Sequence, residues 1–128
     1  MCIRDSLNTW TSERQRLAAQ YDELLADLPV TIPHVAPGMK HIYHQYTIRA
    51  PRRDELQSYL KDRGIGSMIY YPVPLHLQTI YAHLELGEGS LPEAEQAAKE
   101  VLSLPIYPEL DEDQILEVAS AIRQFYDA

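Results

Sequence analysis

The feature that most constrains this chain is a single apolar stripe near its start. Leu7, Trp10, Arg14, Leu17, Tyr21, Leu24 and Leu28 recur at spacings of three and four, and Arg14 is the only polar member. That period places them on one face of an α-helix of about 20 residues, which Pro29 stops. A helix this long, ahead of any strand signal, needs a surface to pack on.

The rest of the chain alternates between short elements. Residues 28–40 hold three prolines and Gly38 and read as a loop. His41 to Arg49 reads as a strand, with Ile42, His44, Tyr46 and Ile48 on one face and Tyr43, Gln45, Thr47 and Arg49 on the other. Pro51 suits a helix start, Leu56, Tyr59 and Leu60 its inner face, and Gly64 its C-terminal cap. Ile65 to Tyr71 reads as a second strand, ended by Pro72 and Pro74. Leu77, Ile80, Tyr81 and Leu84 suggest a short helix, and Gly87-Glu88-Gly89 a turn. Ser90-Leu91-Pro92-Glu93 has the pattern of a capping box. The helix it opens has Ala94, Ala97, Ala98, Val101 and Leu102 on its inner side. Leu104 to Ile106 suggests a short strand confined to an edge by Pro105. Asp111 caps a last helix carrying Ile115, Leu116, Val118, Ala119, Ile122 and Phe125 inward. The expected fold class is α+β: a small, largely antiparallel sheet of two or three strands, covered by helices and preceded by the long one.

Composition sets the outer bounds. With 128 residues the chain has the size of one domain, and 45% apolar with 23% charged residues is ordinary globular usage. A net charge of −8 without a basic block makes it a poor partner for nucleic acid or an anionic membrane surface. No apolar run reaches the roughly 20 residues of a membrane span. One cysteine, Cys2, excludes an intrachain disulfide framework and makes a reducing compartment the default. The opening Met1-Cys2-Ile3-Arg4-Asp5-Ser6 is too short and charged for a signal peptide. It resembles a short translated tag, so residues 1–6 are expected to be a non-native leader.

Chemical motifs are sparse. His41 and His44 fall on opposite faces of the expected strand, and His76 and His83, able to share a helix face, lack a cysteine or paired carboxylate to complete a metal set. There is no Gly-x-Ser-x-Gly elbow and no phosphate loop with its flanking strand. Lys40, Lys61 and Lys99 lie in polar settings that would not lower an amine pKa. One segment stands out: Ile69-Tyr70-Tyr71-Pro72-Val73-Pro74-Leu75-His76-Leu77-Gln78 sets two tyrosines, a histidine and a glutamine around two stiffening prolines at a strand end. It reads equally as a ligand-cleft wall or as a proline-rich turn whose tyrosines bury their rings and hydrogen-bond outward.

Several ordered stretches carry a resemblance. His41-Ile-Tyr-His-Gln-Tyr-Thr-Ile-Arg49, Arg53-Asp54-x-Leu56, Gly64-Ile65, Tyr70-Tyr-Pro-Val-Pro-Leu-His-Leu-Gln78 and Leu102-Ser-Leu-Pro-Ile-Tyr-Pro-Glu-Leu110 resemble the C-terminal part of DegT/DnrJ-type sugar aminotransferases. These are pyridoxal-phosphate enzymes of the aspartate aminotransferase fold. The resemblance implies amino transfer, usually from glutamate, to a keto group on a nucleotide-linked sugar, feeding polysaccharide or glycosylated natural-product pathways. It implies a cytoplasmic homodimer as the parent. Residues 7–28 then correspond to a helix linking to a large domain, and 29–128 to the small domain. The chain departs from the family in lacking its Schiff-base lysine motif, so this stretch alone is expected to be inactive and to hold no cofactor. Tyr70, Tyr71 and His76 match positions that face the substrate, although many members have His where Tyr70 stands. His44 and Gln78 are weaker candidates, and no residue is expected to be catalytic. The rivals are a stand-alone α+β ligand-binding or regulatory module without catalysis, which would bury its first helix on its own sheet, and a pure oligomerisation domain, which would form one defined oligomer.

Overall fold

The computed structural model describes residues 3–128. Met1 and Cys2, with the expectations that rest on the cysteine and on the native start, lie outside the described residues. A short 3-10 turn, Ile3–Ser6, runs directly into helix α1, Leu7–Leu25. Then follow strand β1 (Tyr46–Arg49), helix α2 (Arg53–Asp62), two 3-10 turns (Leu75–Leu77 and Thr79–Leu84), helix α3 (Pro92–Glu100), strand β2 (Val101–Leu104) and helix α4 (Glu112–Asp127). The fold is α+β, with a long first helix and a two-stranded antiparallel sheet wrapped by further helices.

Helix α1 ends three residues before the expected Leu28. The chain turns there, with the Leu28 N–H donating to the Leu25 carbonyl at 3.1 Å, and Leu28 stays buried. The stripe is used unevenly. Leu17, Ala18, Tyr21 and Leu25 are buried, whereas Leu7 is 49% exposed. The buried half packs along α4, and two ion pairs fasten the helices: Arg16–Glu112 at 2.8 Å and Arg123–Asp27 at 2.7 Å. Such exposed pairs stabilise little by themselves, so the apolar contact between the helices dominates.

The sheet is smaller than the alternation suggests. Tyr46 pairs with Leu104 and Arg49 with Val101. The expected strand from His41 is cut to its last four residues because Tyr43 adopts φ 47°. That left-handed residue reverses the alternation: Tyr43 turns inward, while Ile42 and His44 are exposed. The expected second strand from Ile65 to Tyr71 reduces to one bridge, Met68 to Ser103, with N···O distances of 3.1 and 2.7 Å. The strand expected over Leu104–Ile106 lies instead at Val101–Leu104, directly after α3, and stops before Pro105, which has no N–H to offer a ladder. A further bridge joins Thr31 to Arg49.

Helix caps explain the remaining boundaries. At the end of α2, Gly64 has φ 76°, its N–H donates to the Lys61 carbonyl, and the Ile65 N–H reaches back to the Leu60 carbonyl, both at 2.9 Å. With Leu60 and Ile65 both buried, this is the glycine-terminated helix end that Gly64 signals. Asp111 and Gln114 form a reciprocal capping box on α4. The box expected at Ser90–Glu93 is not made: Leu91 occupies the cap position of α3 with no side-chain cap bond. The expected helix over residues 75–84 is two 3-10 turns; of the residues expected inside it, Leu77 and Tyr81 are half-buried, while Ile80 and Leu84 are exposed. Leu116, expected inside α4, is also exposed.

The core gathers Tyr21, Tyr46, Ile48, Leu56, Leu102 and Ile122, all fully buried. Tyr21 and Tyr46 stack with ring centroids 4.8 Å apart, and each hydroxyl finds an acceptor, Tyr21 on the Pro105 carbonyl at 3.0 Å and Tyr46 on Asp22 at 2.6 Å. Burial first, and for Tyr46 the bond to Asp22, raises both phenol pKa values, so both remain donors.

Candidate functional site

After the Met68 bridge the chain leaves the sheet and passes Pro72 and Pro74 into the first 3-10 turn. The two prolines stiffen this stretch and keep it from rejoining the ladder. The Tyr70–Tyr71 peptide bond is cis, and the two rings meet edge to face, 5.7 Å apart. Opposite lies α3, which presents Ala94, Ala97 and Ala98. Alanines have no side chain beyond Cβ, so a cleft of about 490 Å³ stays open between the helix and the proline segment. Tyr70, Tyr71, His76 and Gln78 all line it. Four of the five residues anticipated from the sequence are therefore brought together.

His44 is not among them. It lines a neighbouring hollow of about 340 Å³ with Gln45 and Ser103, and Tyr70 forms part of the wall of both. His44 also shares a third hollow with His41. The expected separation of these histidines on opposite strand faces does not occur, because the stretch is not a strand. His76 and His83 do not share a helix face either: His76 is buried on Glu95, whereas His83 is exposed and faces the Ile80 carbonyl at 3.1 Å. Among the described residues no group of three His, Cys, Asp or Glu could hold a metal ion.

His76 is the most enclosed polar group of the cleft, its side chain only 3% exposed. Its Nε2 lies 3.0 Å from Glu95 Oε1, within hydrogen-bond distance. The same carboxylate accepts the Gly89 N–H at 2.9 Å and the Leu91 N–H at 3.2 Å. Gly89 reaches it from φ 85°, a conformation open to glycine. Donation by the Gly89 N–H, then by His76, holds the Glu95 pKa below the usual carboxylate range. Glu95 thus does the work that the expected capping box was assigned. The sequence signal is an acid in the first turns of α3, and the residue that makes these contacts is Glu95, not the expected Glu93. His76 Nδ1 is buried with no partner among the described residues.

The helical wall is held from behind by Arg53. This buried arginine donates from one guanidinium nitrogen to the carbonyls of Ala98 at 3.1 Å and Val101 at 2.9 Å. Those carbonyls end α3, where a cation satisfies both the unpaired acceptors and the helix dipole. Arg53 lay within a motif noticed in the sequence, yet spacing alone could not assign it this role.

The arrangement suits binding more than bond-making. Tyr70, Tyr71, His76 and Gln78 line a cleft with aliphatic and aromatic walls, and among the lining residues no nucleophile stands beside a base. Pyridoxal phosphate does not fit these residues as its site. Lys40, Lys61 and Lys99 are all exposed and none lines the cleft, so no amine is desolvated for Schiff-base chemistry. No helix of the described residues is long and apolar enough to cross a membrane.

The profile described as the DegT/DnrJ/EryC1/StrS aminotransferase family matches residues 5–123. A protein of Geobacillus stearothermophilus named pleiotropic regulatory protein is 55% identical over 124 residues, covering 94% of this chain and 33% of the relative. The dTDP-3-amino-3,4,6-trideoxy-alpha-D-glucose transaminase of Streptomyces venezuelae is 47% identical over 120 residues, covering 93% of this chain and 32% of the relative. The crystal structure of S. venezuelae DesV superposes with a TM-score of 0.93 at 45% identity, over 97% of this chain and 34% of that one. The chain therefore spans about a third of the length of the curated relatives it matches.

Proposed function

Because the chain belongs to the DegT/DnrJ/EryC1/StrS aminotransferase family, we propose that it is the small domain and linking helix of a pyridoxal-phosphate-dependent sugar aminotransferase. The parent passes an amino group, with glutamate as donor, to a keto group on a nucleotide-linked sugar. It works as a cytoplasmic homodimer. Residues 7–28 join the small domain, 29–128, to a larger domain that supplies the lysine and the phosphate cup. The cofactor brings the capacity to carry the amino group and stabilise the charge formed beside it. This chain's residues shape the sugar side of the cleft: Tyr70, Tyr71 and Gln78 orient hydroxyls, His76 provides a hydrogen-bonding ring nitrogen, and His44 stands at the rim. None of them moves a proton in the reaction.

The observation that carries this reading is the match over nearly the whole chain, together with the gathering of Tyr70, Tyr71, His76 and Gln78 on one cleft. A chimera tests it. This chain replaces the matching third of the S. venezuelae transaminase, and amino-sugar formation from the dTDP-linked keto sugar is measured. Activity is expected, with His76→Ala lowering kcat/KM roughly 5- to 150-fold, since one buried hydrogen bond is worth ~1–3 kcal/mol. A folded chimera without activity contradicts the reading. By itself the chain is expected to form no amino sugar. A cofactor absorbance band that vanished on replacing Lys40, Lys61 or Lys99 would overturn that part.

A second reading, a regulatory or ligand-binding module without catalysis, has two observations in its favour. One relative carries a regulatory name, and the C-terminal half of α1 is buried within this domain. The reading frame upstream of the Leu7 codon separates the two: continuation into a lysine-bearing domain supports the aminotransferase, and a stop codon followed by a ribosome-binding site supports the module.

A further inference from the structure

We propose that Glu95 is a positioning residue for the cleft: it holds His76 in the Nε2–H tautomer and so reserves Nδ1 as a hydrogen-bond acceptor. The inference rests on the reading of His76 as a substrate contact, and adds a residue that neither sequence motif nor lysine chemistry points to.

The geometry fixes the proton's place. An ionised carboxylate only accepts, so at 3.0 Å the proton between His76 and Glu95 sits on Nε2. The Gly89 and Leu91 N–H groups aim at the same carboxylate and favour its ionised form. The carboxylate is thus held by backbone from the loop preceding α3, and cannot turn away without leaving two N–H donors bare. A neutral imidazole with Nε2–H bound has a lone pair on Nδ1, and that atom is buried without a partner among the described residues. A buried acceptor left unpaired costs free energy, which a ligand donor brought to it by a shift of the covering side chains would recover. Glu95 therefore links the loop at residues 87–91, the start of α3 and the ring at residue 76 through a single group.

The test reads the ring directly and needs no substrate. In the chain labelled with ¹⁵N-histidine, His76 is expected to show one protonated and one unprotonated ring nitrogen, with the proton on Nε2. Glu95→Ala is expected to lose this single pattern and give an average of both tautomers. Glu95→Gln, whose amide oxygen still accepts from Nε2–H, is expected to restore it. The backbone amide shifts of residues 46–49 and 101–104 report whether each variant keeps the sheet. A merely structural role would disturb those amides without moving the proton. An Nδ1–H tautomer or a doubly protonated ring in the unaltered chain, or an unchanged pattern in a folded Glu95→Ala, overturns the proposal. Neither outcome bears on whether the family activity assigned to the parent is correct, which the chimera measures separately.

Discussion

The core around α1 and α4 and the flank from Met68 to Leu91 are built by opposite means. In the core, apolar side chains vanish from solvent and three tyrosine hydroxyls find acceptors: Pro105 for Tyr21, Asp22 for Tyr46, Pro51 for Tyr126. On the flank, Met68, Tyr71, Leu75, Ile80 and Leu84 are exposed, and the chain is shaped by prolines, 3-10 turns and the Glu95 cluster. Burial of apolar surface stabilises the first region by roughly 1.5–3 kcal/mol per large side chain. The second gains little from burial and keeps its form through a few polar contacts. Stability and the candidate cleft are therefore carried by different residues, and a cleft wall can change without unfolding the domain beneath it.

The largest expected effect lies in the core. Leu56→Ala should cost about 2–5 kcal/mol, because Leu56 is fully buried, whereas Ile80→Ala on the flank should stay within ~0.5 kcal/mol. Chemical denaturation of both variants measures the difference, and equal shifts in midpoint would break the comparison. A smaller effect is expected where the regions meet. Arg53→Met keeps an apolar stem but strands the Ala98 and Val101 carbonyls, so a loss of ~1–3 kcal/mol is expected. Hydrogen exchange should show the end of α3 opening before α4 does; uniform loosening would mean that Arg53 serves the whole core.

The smallest effect is acid sensitivity. Glu95 is held below its ordinary pKa by the Gly89 N–H and His76, and Asp27 by its hydrogen bonds with Arg123. A carboxyl with a lowered folded-state pKa contributes stability that is fully present above its ordinary value, 4.5 for Glu95 and 3.8 for Asp27, and is lost as the pH falls through the lowered one. Thermal melts should be flat above those values and decline below them. Glu95→Gln should flatten part of the decline and act on the flank, whereas Asp27→Asn should act on the α1–α4 contact. A decline that began well above pH 5 would point to other groups.

Much of the architecture was legible in the residues. The stripe from Leu7, the Gly64 helix end, the Asp111 cap and the inner face of α4 follow from local chemistry, because capping and helical amphipathicity are decided within a few residues. Strand boundaries were less legible. Alternation ran smoothly through Ile42 and His44, yet the backbone at Tyr43 turns left-handed and its ring joins the stack with Tyr46. Of the site, the Tyr70–Gln78 segment stood out by composition, and Tyr70, Tyr71, His76 and Gln78 do share one cleft. Glu95 did not stand out, since nothing in the order of residues says that an acid on α3 will meet an imidazole 19 residues earlier in the chain.

By itself the sequence determined helices α1 to α4, the α+β class and the family, but not residues 75–84, where the helix it suggests is two 3-10 turns. Those rest on periodicity, capping and ordered motifs, all written in near neighbours along the chain. The tertiary structure alone decided how much of α1 is covered, where the strands stop, and that Arg53 and Glu95 brace the two walls of the cleft. These outcomes depend on which distant groups share a low-dielectric space. There an unpaired carbonyl or ring nitrogen is costly enough to choose its partner from anywhere in the fold.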